Sequence, residues 1–227
     1  MSEILAGQIG LGGDYVQTLR PGLPIYAYRV YRVRRDGSGN AVTGPETALN
    51  TKYYIDQNGD GKIDNNDLVP FHNAAPRWIL GHTSSFGYGP VDLSFTLRSY
   101  LGYYTYNRVA AEATYSSLQQ SGVTRNVSAL VYRYNFVNPQ FNSELFVEKA
   151  DFLRMDNVTL GYALPRLGSL RSTRIFGTLQ NAFTATGYSG IDPLAGAIAG
   201  ATGGDSGIDN NAYPLSRIFT VGVSVGF

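Results

Sequence analysis

The chain has 227 residues, 43% hydrophobic and 15% charged, enough apolar material for one large domain. Its 18 basic and 17 acidic residues leave a net charge of +1 with no long run of either sign, which argues against a nucleic-acid groove or an acidic tail. Zero Cys excludes disulfides, thiolate metal sites and cysteine nucleophiles, and no apolar run approaches the roughly 20 residues of a membrane-spanning helix, so any membrane crossing would use strands.

Aromatic residues make up 13% of the chain, with 17 Tyr, 11 Phe and one Trp, beside 27 Gly, a balance that favours strands, tight turns and an interfacial setting. Residues 1–23 contain no basic segment followed by a long apolar one, so no secretory signal is read there; they are expected to be an N-terminal remnant or turn region. A membrane barrel lacking an export signal is expected to be a piece of a longer chain. The remainder, 24–227, reads as one barrel portion.

Residues 24–34 are dense in β-branched and aromatic residues and end at the turn cluster Asp36-Gly37-Ser38-Gly39-Asn40, predicting a first strand. Within the polar stretch 35–75, Asp56-Gln57-Asn58-Gly59-Asp60-Gly61-Lys62-Ile63-Asp64-Asn65-Asn66-Asp67 matches a twelve-residue calcium loop. Asp56, Asn58, Asp60, Asp64 and Asp67 supply hard oxygens at positions 1, 3, 5, 9 and 12, the Lys62 carbonyl stands at position 7, and Gly61 takes the sharp turn at position 6. Asp67 replaces the longer Glu usual at position 12, which weakens bidentate closure. The other reading is a solvated Asx-rich turn that binds nothing.

Residues 76–88 and 91 onward predict a hairpin around Gly89-Pro90. In its second strand Val91, Leu93, Phe95 and Leu97 alternate with Asp92, Ser94, Thr96 and Arg98, a period of two. Residues 104–149 lose that pattern and read as a long loop carrying a short helix. It returns at 150–163, where Val158, Leu160 and Tyr162 alternate with Asn157, Thr159 and Gly161, stops at Leu164-Pro165, and resumes at 172–183 with Ile175 and Leu179 opposite Arg174, Thr178 and Gln180. After a Gly-, Ala-, Asp- and Asn-rich loop, the strand 216–227 places Phe219, Val221, Val223, Val225 and Phe227 on one face.

Connections therefore alternate between short (near 89 and 165–171) and long (35–75, 104–149, 184–215), as periplasmic turns and extracellular loops do in transmembrane barrels. The expected fold is all-β: an antiparallel transmembrane barrel segment of about six strands, each of about ten residues, with long extracellular loops and one short loop helix, too few strands to close a barrel. A soluble β-sandwich also alternates faces. Against it stand an uncharged apolar face on the last strand and aromatics near strand ends, Trp78, Tyr88, Tyr100 and Tyr103, placed as interfacial girdles are.

Thr220, Gly222, Val225 and Phe227 fit the polar, glycine, hydrophobic and aromatic positions of a C-terminal strand signal resembling the one read by the barrel-assembly machinery. An unpaired edge strand of this kind adds to another sheet through its backbone, with alternate side chains giving specificity. His72 and His82, the two histidines, read as hydrogen-bonded structural residues. Tyr103, Tyr104, Tyr106 and Tyr188 read equally as stacking platforms for sugars or peptides and as loop packing. No nucleophile elbow, phosphate-binding glycine loop or zinc-type histidine pair is present, so no enzyme is expected.

From about residue 54 the order of landmarks resembles the C-terminal third of the SusC/RagA family of TonB-dependent outer-membrane transporters of Bacteroidetes-type bacteria. The segments are 56–67, Pro76–Tyr88, Val91–Asn107, Phe152–Pro165, Gln180–Thr184, Tyr188–Pro193, Ile208–Asn210, Tyr213-Pro214 and the last strand. The resemblance implies a bacterial outer-membrane barrel of about 22 strands, working with a SusD-like surface lipoprotein and TonB in uptake of oligosaccharides or peptides. The N-terminal plug and the TonB-contacting segment have no counterpart in this chain. Two other readings stand on the residues alone: a self-contained small outer-membrane barrel or adhesin, and a soluble calcium-stabilised, carbohydrate-binding β-module.

Overall fold

The structure, a computed structural model, describes residues 4–8, 15–44, 52–113, 129–166, 168, 170–194, 207–211 and 213–226. Phe227 lies outside them. The described residues form two compact units, each assembled from three separate stretches of chain.

The second unit, Pro76–Gly102, Ala150–Gly187 and Pro214–Phe227, is one antiparallel sheet. Its strands are β5 (Trp78–Tyr88), β6 (Val91–Leu101), β9 (Phe152–Leu164), β10 (Ser172–Thr186) and β12 (Ile218–Gly226), adjacent in the sheet in their chain order. Each meets the expected segment within a few residues. Gly89, at φ 57°, makes the β5–β6 turn. The sheet has five strands rather than six, because the predicted strand 24–34 belongs to the other unit.

That first unit, Met1–Ala75, Tyr103–Lys149 and Tyr188–Tyr213, holds two small sheets. One runs β1 (Ile4–Gln8), β2 (Tyr15–Leu19), β3 (Ala27–Val30), β4 (Val69–Asn73) in that order; the other joins β7 (Tyr104–Asn107) to β8 (Val147–Lys149) and β11 (Ile208–Asp209). Residues 4–8 and 15–19 pair as antiparallel strands rather than forming a turn region. Their pattern escapes the sequence because each strand is only five residues long. Two short helices, α1 (Arg108–Glu112) and α2 (Leu130–Tyr134), lie in the stretch read as a loop with one helix. The Asn107 side chain caps α1 by accepting the Ala110 N–H.

Aromatic residues fill the core of this unit. Tyr28, Tyr53, Tyr54, Tyr106, Phe136 and Phe146 are fully buried beside Val16, Val30 and Ile208, with edge-on ring contacts such as Tyr53–Phe136 and Tyr134–Phe146. The density of aromatics in 24–34 therefore marks a core and not a membrane crossing: past Val30 the chain makes only single bridges, Tyr31 to Ser143 and Val33 to Tyr54. Buried hydroxyls need partners, and the Tyr28 hydroxyl lies 2.7 Å from the Gly207 carbonyl oxygen and 3.0 Å from that of Tyr104. Burial pushes the Tyr28 and Tyr106 hydroxyls well above the ordinary tyrosine pKa, so both stay neutral. The carboxylate of Glu144, itself buried, accepts from Arg32 and from Arg35 (3.0 Å), tying the segment after β3 to the turn before β8.

Tyr28→Phe removes the hydroxyl shared by the two chain segments and leaves the Gly207 carbonyl without it. The variant is expected to lose about 1–3 kcal/mol, seen as a lower thermal midpoint and faster proteolysis within 15–75, while hydrogen exchange in the β5–β6 hairpin stays unchanged.

Candidate functional site

The register of the five-stranded sheet sorts its side chains by chemistry. One face runs from Trp78, Leu80, Phe86 and Tyr88 on β5 through Val91, Leu93, Phe95 and Leu97 on β6. It continues through Val158, Leu160 and Tyr162 on β9 and Ile175 and Leu179 on β10 to Phe219, Val221, Val223 and Val225 on β12. No Asp, Glu, Lys or Arg falls on this face among the described residues; the polar side chains His82 and Ser84 of β5 and Ser99 of β6 do, with His82 and Ser84 hydrogen-bonded to each other. It is also uncovered: Tyr88 is 90% exposed, Val221 82% and Phe219 77%. A contiguous apolar surface of this extent exceeds what a monomeric soluble protein leaves in water. Trp78 and Tyr88 sit at the two ends of β5 on this face, as expected of girdle aromatics. Tyr100 and Tyr103 do not: Tyr100 lies on the other face against Phe152 (ring centroids 5.0 Å), and Tyr103 is buried in the first unit.

The opposite face is polar and internally bonded. Thr83 and Thr96 pair across β5–β6 (3.1 Å) and Thr159 and Thr178 across β9–β10 (2.8 Å), while Arg154 donates to Thr184 (2.9 Å). Two ion pairs lie here. Arg98 reaches Asp156 (2.9 Å), which is the extra residue of β9 where the β6–β9 register shifts. Arg174 of β10 binds both carboxylate oxygens of Asp92 on β6, with Nε at 2.8 Å, although β9 runs between them. The intervening residue is Gly161, paired with Asp92. A Cβ there would strike both the guanidinium and the carboxylate, so glycine is what lets a bidentate pair span two strand spacings. Alternation marked Asp92, Arg98 and Arg174 as polar-face residues; which of them meet depends on register, which alternation does not carry.

The expected terminal-strand positions are partly in view. Thr220 and Gly222 lie on the polar face of β12, where the Phe176 ring covers Gly222, and Val225 lies on the apolar face. Among the described residues β12 pairs only with β10, so its other edge presents free backbone groups.

The acidic loop folds as a chain of side-chain-to-backbone turns. Asp56 accepts the Gly59 and Gly61 N–H groups (2.6 and 2.8 Å), Asn58 that of Asp60 (3.0 Å), Asp60 that of Lys62 (2.9 Å), and Asp64 that of Asn66 (2.8 Å). Asp67 closes the loop by accepting from Gln57 (2.7 Å) and Asp64 (2.8 Å), in a reciprocal capping box with Asp64. Gly61, at φ 83°, occupies the turn as expected. The donors are the hard oxygens calcium takes, and an ionised carboxylate keeps acceptor sites beyond one or two amides. In this arrangement, however, no three His, Cys, Asp or Glu side chains among the described residues converge as metal ligands. The loop that the sequence presents as a ligand set is held here by its own backbone. The Asp64 amide holds the Asp67 carboxyl below the ordinary carboxylate range against the opposing pull of burial, with Gln57 adding to it.

The loop aromatics resolve to packing. Tyr106 is fully buried, Tyr103 and Tyr188 nearly so, and Tyr188 donates to Asp209 (2.8 Å). His72 stacks on Tyr104 (centroids 3.8 Å, 7° between planes), and His82 hydrogen-bonds Ser84 (2.7 Å); neither belongs to a group of three or more metal-ligating side chains among the described residues.

No protein-family model matches the chain. The TonB-dependent receptor SusC of Bacteroides thetaiotaomicron is 30% identical over 221 residues, 93% of this chain and 20% of SusC. The TonB-dependent receptor P3 of Formosa agariphila is 24% identical over 235 residues, covering 93% of this chain and 23% of P3. Among solved structures, the RagAB peptide transporter superposes on 100% of this chain and 24% of its own with a TM-score of 0.68 at 16% identity; the RagAB peptide importer in its open-open state gives 0.65 at 17%, over 98% of this chain and 25% of its own. The chain thus spans about a fifth to a quarter of the length of the relatives it matches. These relatives are receptors and importers by name, not enzymes, and the resemblance to part of a SusC/RagA-type TonB-dependent receptor is borne out over nearly the whole chain.

Gly161→Val is expected to separate Asp92 from Arg174. In a double-mutant cycle of Asp92→Asn and Arg174→Gln, followed by urea unfolding, the half-exposed pair should return a coupling of roughly 0.5–1 kcal/mol with Gly161 present and none with Val.

Because the folded Asp67 has a depressed pKa, its contribution to loop stability is present above the ordinary aspartate pKa of about 3.9 and is lost as pH falls through the lower folded value. Cleavage within 56–67 by an acid-active protease should rise below about pH 4 in the wild-type chain, and rise less in Asp67→Ala, where only the amide bonds of Asp56, Asp60 and Asp64 are left to be lost.

Proposed function

We propose that this chain supplies the C-terminal wall strands and surface loops of a TonB-dependent nutrient transporter in the bacterial outer membrane. The observation that carries the reading is the two-sided sheet: an uncharged, exposed apolar face backed by a polar face with cross-strand ion pairs. In water the apolar face would need a cover; against lipid it needs none. Strands of 9 to 15 residues suffice for a tilted crossing of the hydrocarbon layer, and the unpaired edges of β5 and β12 suit a sheet that continues into further strands. The exposed apolar face counts against the soluble β-module reading, and a self-contained small barrel needs about eight strands for closure where the sheet has five among the described residues.

On this reading the polar face lines the lumen, and the long connections 35–75, 104–149 and 184–215 are extracellular loops. Likeness to SusC and RagAB supports cargo of oligosaccharides or peptides, a SusD-like surface lipoprotein as partner, and energy from TonB through regions outside this chain. Thr220, Gly222, Val225 and Phe227 act as the strand signal for the barrel-assembly machinery. Calcium at Asp56, Asn58, Asp60, Asp64, Asp67 and the Lys62 carbonyl would replace part of the amide network with a harder, less pH-sensitive closure.

The chain has no cysteine, so single cysteines report without background. With the protein in lipid vesicles, fluorophores at Val221→Cys and Val223→Cys should be quenched by nitroxide lipids, and those at Thr220→Cys and Ser224→Cys by aqueous iodide. Absence of that alternation sinks the barrel-wall reading. For the loop, millimolar calcium should protect residues 50–75 from proteolysis in the wild-type chain and not in Asp60→Ala; a wild-type chain indifferent to calcium removes the metal proposal alone.

A further inference from the structure

Where β7 runs into α1, the first unit holds a cavity of about 310 Å³ to which the transport reading gives no role. Parallel pairing of β11 with β7 sets Asp209 beside Asn107. Asn107 in turn caps α1, its Oδ1 accepting the Ala110 N–H (2.9 Å), and Val109 of that first turn lies in the wall. The segment after β10 forms the other side. Its Ser189 hydroxyl donates to Glu148 (2.7 Å) and accepts from Asn107 (3.2 Å), while the exposed Ile191 and Asn211 complete the lining.

Asp209 carries the charge in this wall and is only 3% exposed. Its carboxylate accepts from two neutral donors, the Tyr188 hydroxyl (2.8 Å) and the Asn211 N–H (3.0 Å), and a carboxylate offers about four acceptor positions. No Lys or Arg lies in the lining among the described residues. Arg108 of the adjoining helix is engaged by Glu112 (2.6 Å) and by the Asn210 amide oxygen (3.1 Å). A second carboxylate, Glu148, stands behind Ser189, accepting its N–H and its hydroxyl. The Tyr188 hydroxyl reports both charges: burial first, then Asp209, then Glu148 push its pKa well above the ordinary tyrosine value. A buried carboxylate bonded by neutral groups favours a cation. No three metal-ligating side chains converge among the described residues, which points away from a metal ion, and the Val109 and Ile191 side chains suit an aliphatic stem behind the charge.

We propose that this cavity binds a primary ammonium group carried on an aliphatic stem, with Asp209 as its charged partner, Asn107 and Ser189 as neutral acceptors, and Val109 and Ile191 against the stem. Three N–H donors match such a set of convergent oxygen acceptors. An aliphatic amine, a lysine side chain and a peptide N-terminus share that chemistry. Binding there requires nothing of the barrel wall.

Calorimetric titrations of the full chain in nonionic detergent with butylammonium and with leucinamide test it. The controls are tetramethylammonium, which has the charge but no N–H, and N-acetyl-leucinamide, which has the stem but no charge. At least one of the two amines is expected to bind saturably and more tightly than either control. Asp209→Asn, which keeps acceptors for Tyr188 and Asn211, is expected to weaken that binding roughly tenfold, the loss of one charge-assisted hydrogen bond, while Asp36→Asn, in the exposed turn 36–40, leaves it unchanged. Preference for leucinamide identifies a peptide N-terminus as the ligand, and preference for butylammonium an amine or lysine side chain. If Asp209→Asn alters the fold by circular dichroism, Ile191→Ser, at an exposed position, decides by weakening butylammonium and not methylammonium. No saturable binding of either amine, tetramethylammonium binding as tightly, or affinity that the deciding variant leaves intact overturns the proposal. Lipid contact by the β12 face is read separately, by the alternation of quenching, and is unaffected by any of these outcomes.

Discussion

A sheet that turns an apolar face outward has to satisfy its backbone internally, and that constraint organises the second unit. On the proposed barrel-wall reading an amide facing hydrocarbon finds no water, so each N–H and C=O along the wall must meet the next strand. Register is then a matter of survival for the face: a one-residue slip would turn Asp92, Arg98 and Arg174 toward the apolar side and Phe219 and Val221 toward the polar side. Long ladders such as β5–β6, paired without interruption from Trp78–Leu101 to Tyr88–Val91, make such a slip cost many contacts together.

Where the ladder is interrupted, the interruption has a use. Asp156 is inserted in β9 relative to β6, and the extra residue delivers its carboxylate to Arg98 on the polar face. Gly161 gives up a side chain so that β6 and β10 can be linked over the back of β9. Both devices act on the polar face alone and leave the apolar face unbroken. The Asp92–Arg174 pair cross-links next-but-one strands and so resists sliding of β9 between them, acting on register at least as much as on stability, since half-exposed ion pairs contribute little to the latter.

The long strands were legible in the sequence because a half-buried or lipid-facing strand writes its period directly into side-chain chemistry. Val91 to Arg98 and Phe219 to Val225 each carry enough repeats to stand out. The first unit was not legible in that way. Its strands are two to five residues long, too short for a period to declare itself, and its stability comes from contacts between distant segments, such as Tyr28 with Gly207 and Arg32 with Glu144. The aromatics of 24–34 signalled burial correctly and location wrongly, and Tyr103 failed as a girdle residue for the same reason. The acidic loop was legible as a turn, with Gly61 where the spacing put it, while its engagement with its own amides follows from geometry that spacing does not encode.

The same loop explains why net charge says little about binding here. A total of +1 suggests a surface without electrostatic preference, but charges are neutralised locally and unequally. Carboxylates as short as Asp can bond amides two to five residues away, as Asp56 does with Gly59 and Gly61; arginine side chains are too long and carry only donors, so they cannot satisfy N–H groups and must look outward for acceptors. An Asp-rich turn set against arginines from neighbouring strands therefore need not form a set of salt bridges. The turn consumes part of its acceptor capacity internally, and Arg29 reaches it through the Asn65 backbone carbonyl (2.9 Å). Local acceptor accounting, rather than the sum of formal charges, sets the electrostatics of such a turn.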